Sequence, residues 1–454
     1  MKLYASLIVG LLLVVPSAQA ETLTLEQAMD RAINHDPRIG EREQYVKVAQ
    51  ALLQEVHGSD DLQFDLVSFL GSSTALKGGL FDEGSCSAGN FTCTVRDDKY
   101  TISEGLTAWT YLDMKIVKPI VTFGKIANFK VAAQENIKVK SQDVRLQRGS
   151  TVLDVKKAWY GYLAARDSEA FLEDTRKRIE TARNTVSSWL EQGRGDVAKA
   201  DEYALKSAES LIQSYVLQAR SLKQVAMHGL RMLIGWQEAE DPQLEDKRLQ
   251  PLKVTTQTLD ELQGEALTQR PEMTQVQHGL KAMRHLVEGQ RAMNRPNLFV
   301  GGVVFISYSP GRERLDNPFI YDPFNDFGAT PVVGMQWKWE KGVNDARTEK
   351  AQAELGALVE QASLARKGIP FQVAEAYIYV INGEQSVKHM ESGARDARRW
   401  MISRLADFDA GITSVDKVVS AFQGYVLSYT DYLKQVYAYN MQVAQLENVI
   451  GDYQ

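Results

Sequence analysis

The sequence predicts a mainly α-helical chain with β-structure, an α+β protein made of two tandem repeats. Each repeat holds a β-hairpin and long antiparallel coiled-coil helices. Three observations predict it. Gly124, Ala158-Trp159 and Gly193 recur as Gly342, Ala376-Tyr377 and Gly411, each 218 positions later. One run far longer than an ordinary helix, Lys125 to Gln192, carries no Pro and only two Gly. Short segments outside it alternate strictly between apolar and polar residues.

The first repeat spans 21–235 and the second 259–454, with a polar linker at 236–258 that contains Pro242 and Pro251. The openings match at a spacing of 234, Leu25-Glu26 with Leu259-Asp260 and Asp36-Pro37 with Arg270-Pro271. The closings, Leu233-Ile234-Gly235 and Val449-Ile450-Gly451, are 216 apart. The fall from 234 to 218 leaves the first repeat 16 residues longer between its Pro and its first Gly.

Residues 1–20 read as a signal peptide: Lys2, an apolar run from Leu7 to Val15, then Ala18-Gln19-Ala20 before Glu21. No Cys follows the cut, so a lipid anchor at the mature N-terminus is not expected. Nothing after residue 20 approaches 18 consecutive apolar residues, the length of a membrane-spanning helix. The chain carries a formal charge of −6, and losing Lys2 with the leader leaves −7. That balance argues against nucleic acid as a partner. Cys86 and Cys93 are the only cysteines, seven apart in an exported chain, and read as a local disulfide pinning a loop. Free thiols are the alternative.

In chain order, residues 25 to 57 have helical periodicity, with Thr24 as N-cap and Gln27 completing a capping box. A β-hairpin follows at 62–121. Lys125 to Gln192 has no Pro and only Gly149 and Gly161, so it reads as one helix of roughly 100 Å. Gly193-Arg-Gly195 breaks it, and a shorter helix returns over 197–234, with Ile212, Tyr215, Ala219, Leu222 and Ala226 as its stripe. The second repeat gives a helix from 259, a hairpin at 297–340, a long helix at 343–410 and a returning helix at 414–450. Its stripe is Phe422, Val426, Tyr429, Leu433 and Val436. Such stripes mark helix-on-helix core packing.

The β segments set the functional class. Val333, Met335, Trp337 and Trp339 alternate with Gly334, Gln336, Lys338 and Glu340; Leu112, Met114 and Ile116 alternate with Asp113 and Lys115. This suits strands with one face in lipid and one on water, with Trp109, Trp337 and Trp339 as membrane-interface aromatics. An ordinary half-buried strand gives the same pattern. Four strands cannot close a barrel, but two or three copies of the chain supply eight or twelve.

Leu23–Ala28 (Leu-Thr-Leu-Glu-Gln-Ala) with Asn34-His-Asp-Pro37, Lys118-Pro-Ile-Val-Thr-Phe-Gly124, Arg295-Pro-Asn-Leu298, Phe408-Asp-Ala-Gly-Ile412 and Asp416-Lys-Val418 together resemble the TolC family of outer-membrane efflux proteins. The resemblance covers the mature chain. It implies a homotrimer whose twelve strands form an outer-membrane β-barrel continuous with a periplasmic α-helical barrel. It also implies docking on a periplasmic adaptor and an inner-membrane pump, without enzymatic activity. Gly193 and Gly411 would be the turns at the periplasmic entrance. Arg194, Asp196 and Asp201 in one tip, and Thr413, Asp416 and Lys417 in the other, would face the adaptor or the pore mouth.

The chain departs from the family pattern at three places. Lys417 and Ser420 stand where acidic rings are expected, which puts a cation-binding constriction in doubt. The first tip, Gly193-Arg-Gly-Asp-Val-Ala-Lys199, fits poorly. The extra residues around Cys86 and Cys93 suggest an elongated loop in the first hairpin. Among the six His, only His278 and His285 could share a helix face, and they read as exposed helix residues. No cofactor or metal is called for. A periplasmic coiled-coil adaptor or scaffold without a pore is the competing function, and an exported enzyme has no motif in its favour.

Overall fold

A computed structural model describes residues 22–75, 93–94, 105–194, 196–254, 257–312 and 321–453. The expected signal peptide, Cys86 and most of the extended loop of the first hairpin lie outside these residues. The element order is β1 (Thr22–Leu23), α1 (Leu25–His35), α2 (Pro37–Gly58), β2 (Gln63–Thr74), β3 (Leu106–Val121), α3 (Lys125–Gln192) and α4 (Lys199–Leu233). It continues with β4 (Gln243–Leu244), α5 (Leu259–Gln269), α6 (Pro271–Ala292), β5 (Asn297–Tyr308), β6 (Asp326–Gln336), α7 (Lys341–Asp409) and α8 (Val415–Ile450).

Local chemistry accounts for most boundaries. The periodicity over 25–57 becomes two helices because Pro37 disfavours helical backbone at the residue before it; Asp36 is extended, at φ −69° and ψ 114°. Arg270 before Pro271 behaves alike, at φ −62° and ψ 130°. Thr24 and Thr258 each cap the helix that follows, in reciprocal boxes with Gln27 and Glu261. α3 and α4 turn at Gly193 (φ 62°), and α7 and α8 at Gly411 (φ 71°). In both, the next residue returns its N–H to a carbonyl five positions earlier, Arg194 to Trp189 at 2.9 Å and Ile412 to Asp407 at 2.8 Å. This left-handed closure satisfies carbonyls that a helix end leaves open.

Compactness divides the chain across its two sequence halves rather than between them. One unit comprises Gln44–Ser141 and Thr274–Ala362. It holds an antiparallel four-stranded sheet in the order β2-β3-β5-β6. The hairpins join through β3 and β5, in register from Thr110 opposite Tyr308, with an irregularity between Pro119 and Val121. β2 and β6 are the outer strands, without a further strand partner among the described residues. Beside the sheet, α3 packs on α6, where Phe129 lies against Gly289, and Lys130 pairs with Asp60 at 3.0 Å.

The other unit comprises the described residues up to Glu43, Gln142–Met273, and Ser363 onward. Trp159, Leu163, Leu230, Val373, Val436 and Tyr439 centre one of its hydrophobic clusters. Leu172, Ile179, Val216, Phe408 and Phe422 centre a second, where Trp189 packs on Phe408 with ring centroids 5.1 Å apart. The 236–258 segment, read as a polar linker, is bound into this unit. β4 pairs in parallel with β1, the Trp159 indole donates to Asp246 at 2.8 Å, and Asn440, fully buried, donates to the Gln250 carbonyl at 2.9 Å.

Two packing expectations are corrected. On α4 the buried stripe is Leu205, Ala208, Ile212, Val216 and Ala219, while Leu222 is 63% exposed. Sequence periodicity cannot distinguish a core stripe from a second apolar face one position round the helix. His278 and His285 are half-buried rather than exposed; each ring Nδ1 meets α3, at Glu135 (2.5 Å) and Asn128 (2.9 Å).

Candidate functional site

The sheet presents one apolar face to the outside. Strand pairing aligns Leu66, Met114, Val304 and Ala329 in one row, with Phe64, Ile116, Gly302 and Pro331 in the next. Large apolar side chains on this face are open to solvent: Leu70 is 79% exposed and Val333 85%, with Phe64, Leu66, Ile306, Phe327 and Met335 alongside. Contiguous apolar surface of this kind marks a face that another apolar medium or molecule covers. The opposite face is mixed, with Asp65, Asp113, Lys115, Thr330 and Gln336 among its residues. No helix among the described residues is long and apolar enough to cross a membrane.

Trp109 is on the mixed face, not the apolar one. Its indole donates to the Ser307 hydroxyl at 2.8 Å, and its ring packs edge-on against Phe69. Trp337 and Trp339 lie just past the end of β6, both exposed, with ring centroids 4.8 Å apart. Trp337 donates to the Asn294 carbonyl at 3.1 Å.

The helical unit carries an open apolar groove of about 1170 Å³. Ala158, Gly161, Ala165 and Ser168 of α3 form one side of its lining, with Tyr215, Leu222, Val225 and Met232 from α4 and Leu427 and Thr430 from α8. The α4 lining includes Tyr215, Gln218, Leu222, Val225, Gly229 and Met232, a row spaced alternately three and four apart, with Ala219, Ala226 and Leu233 beside it. That is the spacing of a coiled-coil seam awaiting a partner helix. Elsewhere in this unit, Leu364, Phe371 and Ile378 of α7 recur every seven residues and are all exposed, Phe371 at 68%. The unit thus bears an apolar groove on one set of helices and an apolar ridge on another.

No protein-family model matches the chain, and no curated protein matches it. Solved structures do. CusC, studied for conformational changes accompanying folding and transmembrane channel formation, aligns over 94% of this chain and 92% of its own at 15% identity, with a TM-score of 0.73. The MtrE outer-membrane channel of Neisseria gonorrhoeae, in its open state, aligns over 94% and 88% at 13% identity and 0.72. The CmeC outer-membrane channel of Campylobacter jejuni aligns over 94% and 85% at 14% identity and 0.71. The chain has the fold of the TolC-type outer-membrane channels.

Within this channel fold, the structure gathers the expected tip residues at the two glycine turns and divides them by task. Asp201 accepts a hydrogen bond from the Ala198 N–H at 2.8 Å, closing the first turn of α4. Asp416 lies in the first turn of α8, where the Ser414 hydroxyl and the backbone N–H groups of Asp416 and Lys417 hold its carboxyl below the usual range. Both are helix-capping carboxylates. Arg194, Asp196 and Lys417 are exposed, and Thr413 is half-buried.

Three charged clusters escaped the sequence reading. Glu202, buried beside the tip, takes Lys206 at 2.7 Å and also Lys199, and these ammoniums hold its carboxyl at about 2. The spacing Lys199, Glu202, Lys206 was visible, but the burial was not. Glu135, on α3, collects Lys281 at 2.8 Å, His278 at 2.5 Å and Lys138 at 3.1 Å. Burial pushes this carboxyl up, and the three hydrogen bonds overcome that and bring it to about 2. Arg312 and Asp322 form a buried pair at 3.2 Å beyond β5. Among the described residues no three or more His, Cys, Asp or Glu side chains could hold a metal ion together.

Proposed function

We propose that three copies of this chain form a passive outer-membrane exit duct of a tripartite efflux or type I secretion system. The duct would pass small molecules, metals or proteins outward. The observation that carries this reading is the open sheet with its exposed apolar face. β2 and β6 run antiparallel to each other across the sheet, so the β6 of one copy can extend the β2 of the next without breaking the alternation. Repeating that head-to-tail contact closes a ring, and three copies close twelve strands, an even number as such barrels require. The strands, 11 to 16 residues long, meet or exceed the roughly 9–11 that a tilted membrane strand needs.

The helical unit closes in the same head-to-tail manner. The groove has small residues on its α3 side and larger apolar ones on α4 and α8, and the α7 ridge of the neighbouring copy supplies the knobs that fill it. The chain then sits in the outer membrane of a Gram-negative cell with a large periplasmic part. Lipid covers the apolar strands, and the glycine turns meet a periplasmic adaptor and, beyond it, an inner-membrane pump. The two repeats seen in sequence supply equivalent hairpins, and Cys86–Cys93 pins the longer loop. A scaffold without a pore leaves the apolar sheet face without a covering. The test is the protomer count of the detergent-extracted protein by native mass spectrometry, with ion conductance in planar bilayers. Three protomers and discrete conductance steps support the duct; a water-soluble monomer without conductance removes it.

A further inference from the structure

At one end of the sheet, three serines of the mixed face are sealed from solvent. Ser73 is 3% exposed, Ser307 5% and Ser309 1%, whereas Gln63, Asp65 and Val67 further along the same face of β2 are open. Small polar side chains on a sheet face lose solvent only when something lies on them. Here the cover is the chain on either side of the hairpin end, residues 310–312 and 321–325.

The cover is fastened at every layer. Ser307 donates to the Pro323 carbonyl at 2.6 Å, and the Ser309 N–H donates to Asn325 Oδ1 at 2.9 Å. Asn325 donates in turn to the Arg312 carbonyl at 2.7 Å, and the Gly311 N–H donates to Thr107 at 3.0 Å. The Phe324 ring packs edge-on against Trp109, with centroids 5.1 Å apart, and the Arg312 guanidinium stacks 4.7 Å from the Phe324 centroid. Arg312 Nε donates to Asp322 Oδ1, which also accepts the Phe324 N–H at 3.1 Å. Both ionic side chains are at least nine-tenths buried. A charge pair this dry is costly unless its geometry is held, so the segment is fixed in place.

We propose that this inward-folded segment is a permanent constriction of the duct, restricting its cargo to small solutes and excluding polypeptides. The inference rests on the trimeric-duct reading, in which the mixed face lines the lumen. Twelve strands about 4.8 Å apart and tilted about 40° give a backbone radius of roughly 12 Å. A layer packed on a sheet face occupies about 10 Å, so three converging covers leave a bore only a few ångströms wide.

The test is single-channel recording of the full-length trimer with polymer exclusion. The wild type should conduct weakly and exclude poly(ethylene glycol) of about 1 kDa from its bore. The double variant Arg312→Ala/Asp322→Ala, which removes both members of the pair together, should raise conductance at least threefold and admit that polymer, with trimers still heat-modifiable. Phe324→Ala, which keeps the ion pair, should give a smaller increase and stands in if the double variant does not assemble. A wild-type bore that already admits the 1 kDa polymer overturns the constriction, as does unchanged conductance in assembled variants. Absence of any channel from wild-type protein would instead remove the duct reading and this inference with it.

Discussion

Leu222→Asp separates the assembly from the protomer. Leu222 is 63% exposed in the single chain and lines the groove, so its own fold draws little from it. In the proposed trimer the neighbouring α7 ridge covers that exposed part. Full burial of a leucine is worth roughly 1.5–3 kcal/mol, so the covered share contributes about 1–2 kcal/mol at each interface. A closed trimer has three such interfaces, and truncation to Ala would weaken it by about 3–6 kcal/mol, on the order of a hundredfold to ten-thousandfold in the assembly constant. Asp adds the cost of an unpaired charge at each site, several kcal/mol more. The assay is native mass spectrometry in detergent beside thermal unfolding followed by circular dichroism. The expected outcome is loss of trimer with helix content retained. Leu205→Ala is the control: that side chain is 1% exposed in the protomer's own core, so it should lower unfolding stability by about 2–5 kcal/mol. A Leu222→Asp protein that stays trimeric at wild-type concentrations would refute the groove as an interface.

Glu135→Gln should destabilise at pH 7 by on the order of 3 kcal/mol and match wild type near pH 2, because a carboxyl lowered from 4.5 to about 2 gives stability that is full above its unfolded value and lost as pH falls through the folded one; melting temperatures of both proteins across pH 2–7 check this. Gly411→Val places a β-branched residue at φ 71°, and should expose the α7–α8 turn to proteolysis while leaving the strands of the sheet protected. Trp159→Phe removes the hydrogen bond to Asp246 and leaves that carboxylate without its indole partner; a loss of about 1.5–3 kcal/mol in urea unfolding is expected. Cys86→Ser/Cys93→Ser should preserve the trimer by native mass spectrometry, and failure to trimerise would give that loop an assembly role.

The helical punctuation was legible because it is local. Thr24, Gly193 and Gly411 act on their own backbone, and the structure starts or ends a helix at each of them; Pro37 is equally local, yet the periodicity on either side of it reads as one helix and hides the break. The alternation around Leu112–Ile116 was legible for the same reason, since side chains two apart must share a sheet face. What failed depended on other elements. Leu222 and Leu205 are both apolar at helical spacing, and only the packing of α3 and α8 decides which is core. His278 looked like a surface histidine until α3 brought Glu135 to it across a separation of 143 residues. Trp109 was assigned by type to an interface, but Ser307 and Phe69 draw it to the other face. The Arg312–Asp322 pair left no periodic trace, because each residue lies outside the strands.

In the proposed duct, the chemistry of the two glycine turns constrains selectivity at the entrance. Formal charge among the residues singled out there is mixed, with Arg194 and Lys417 against Asp196, Asp201 and Asp416, one negative charge in excess. Two of the three carboxylates are engaged locally, Asp201 on the Ala198 N–H and Asp416 on Ser414 and its own helix start. A carboxylate spent on helix donors has fewer lone pairs for a passing cation and sits in the positive field of its helix end. Glu202, a buried carboxylate nearby, is screened by two lysines. If these turns form the periplasmic mouth, the charges free to act on cargo or adaptor are Arg194, Asp196 and Lys417, a mixed set. Such a mouth does not concentrate cations as a ring of free carboxylates would. In the proposed duct, a mixed set of three charges leaves the shape of the two glycine turns as the larger part of what a docking partner could read.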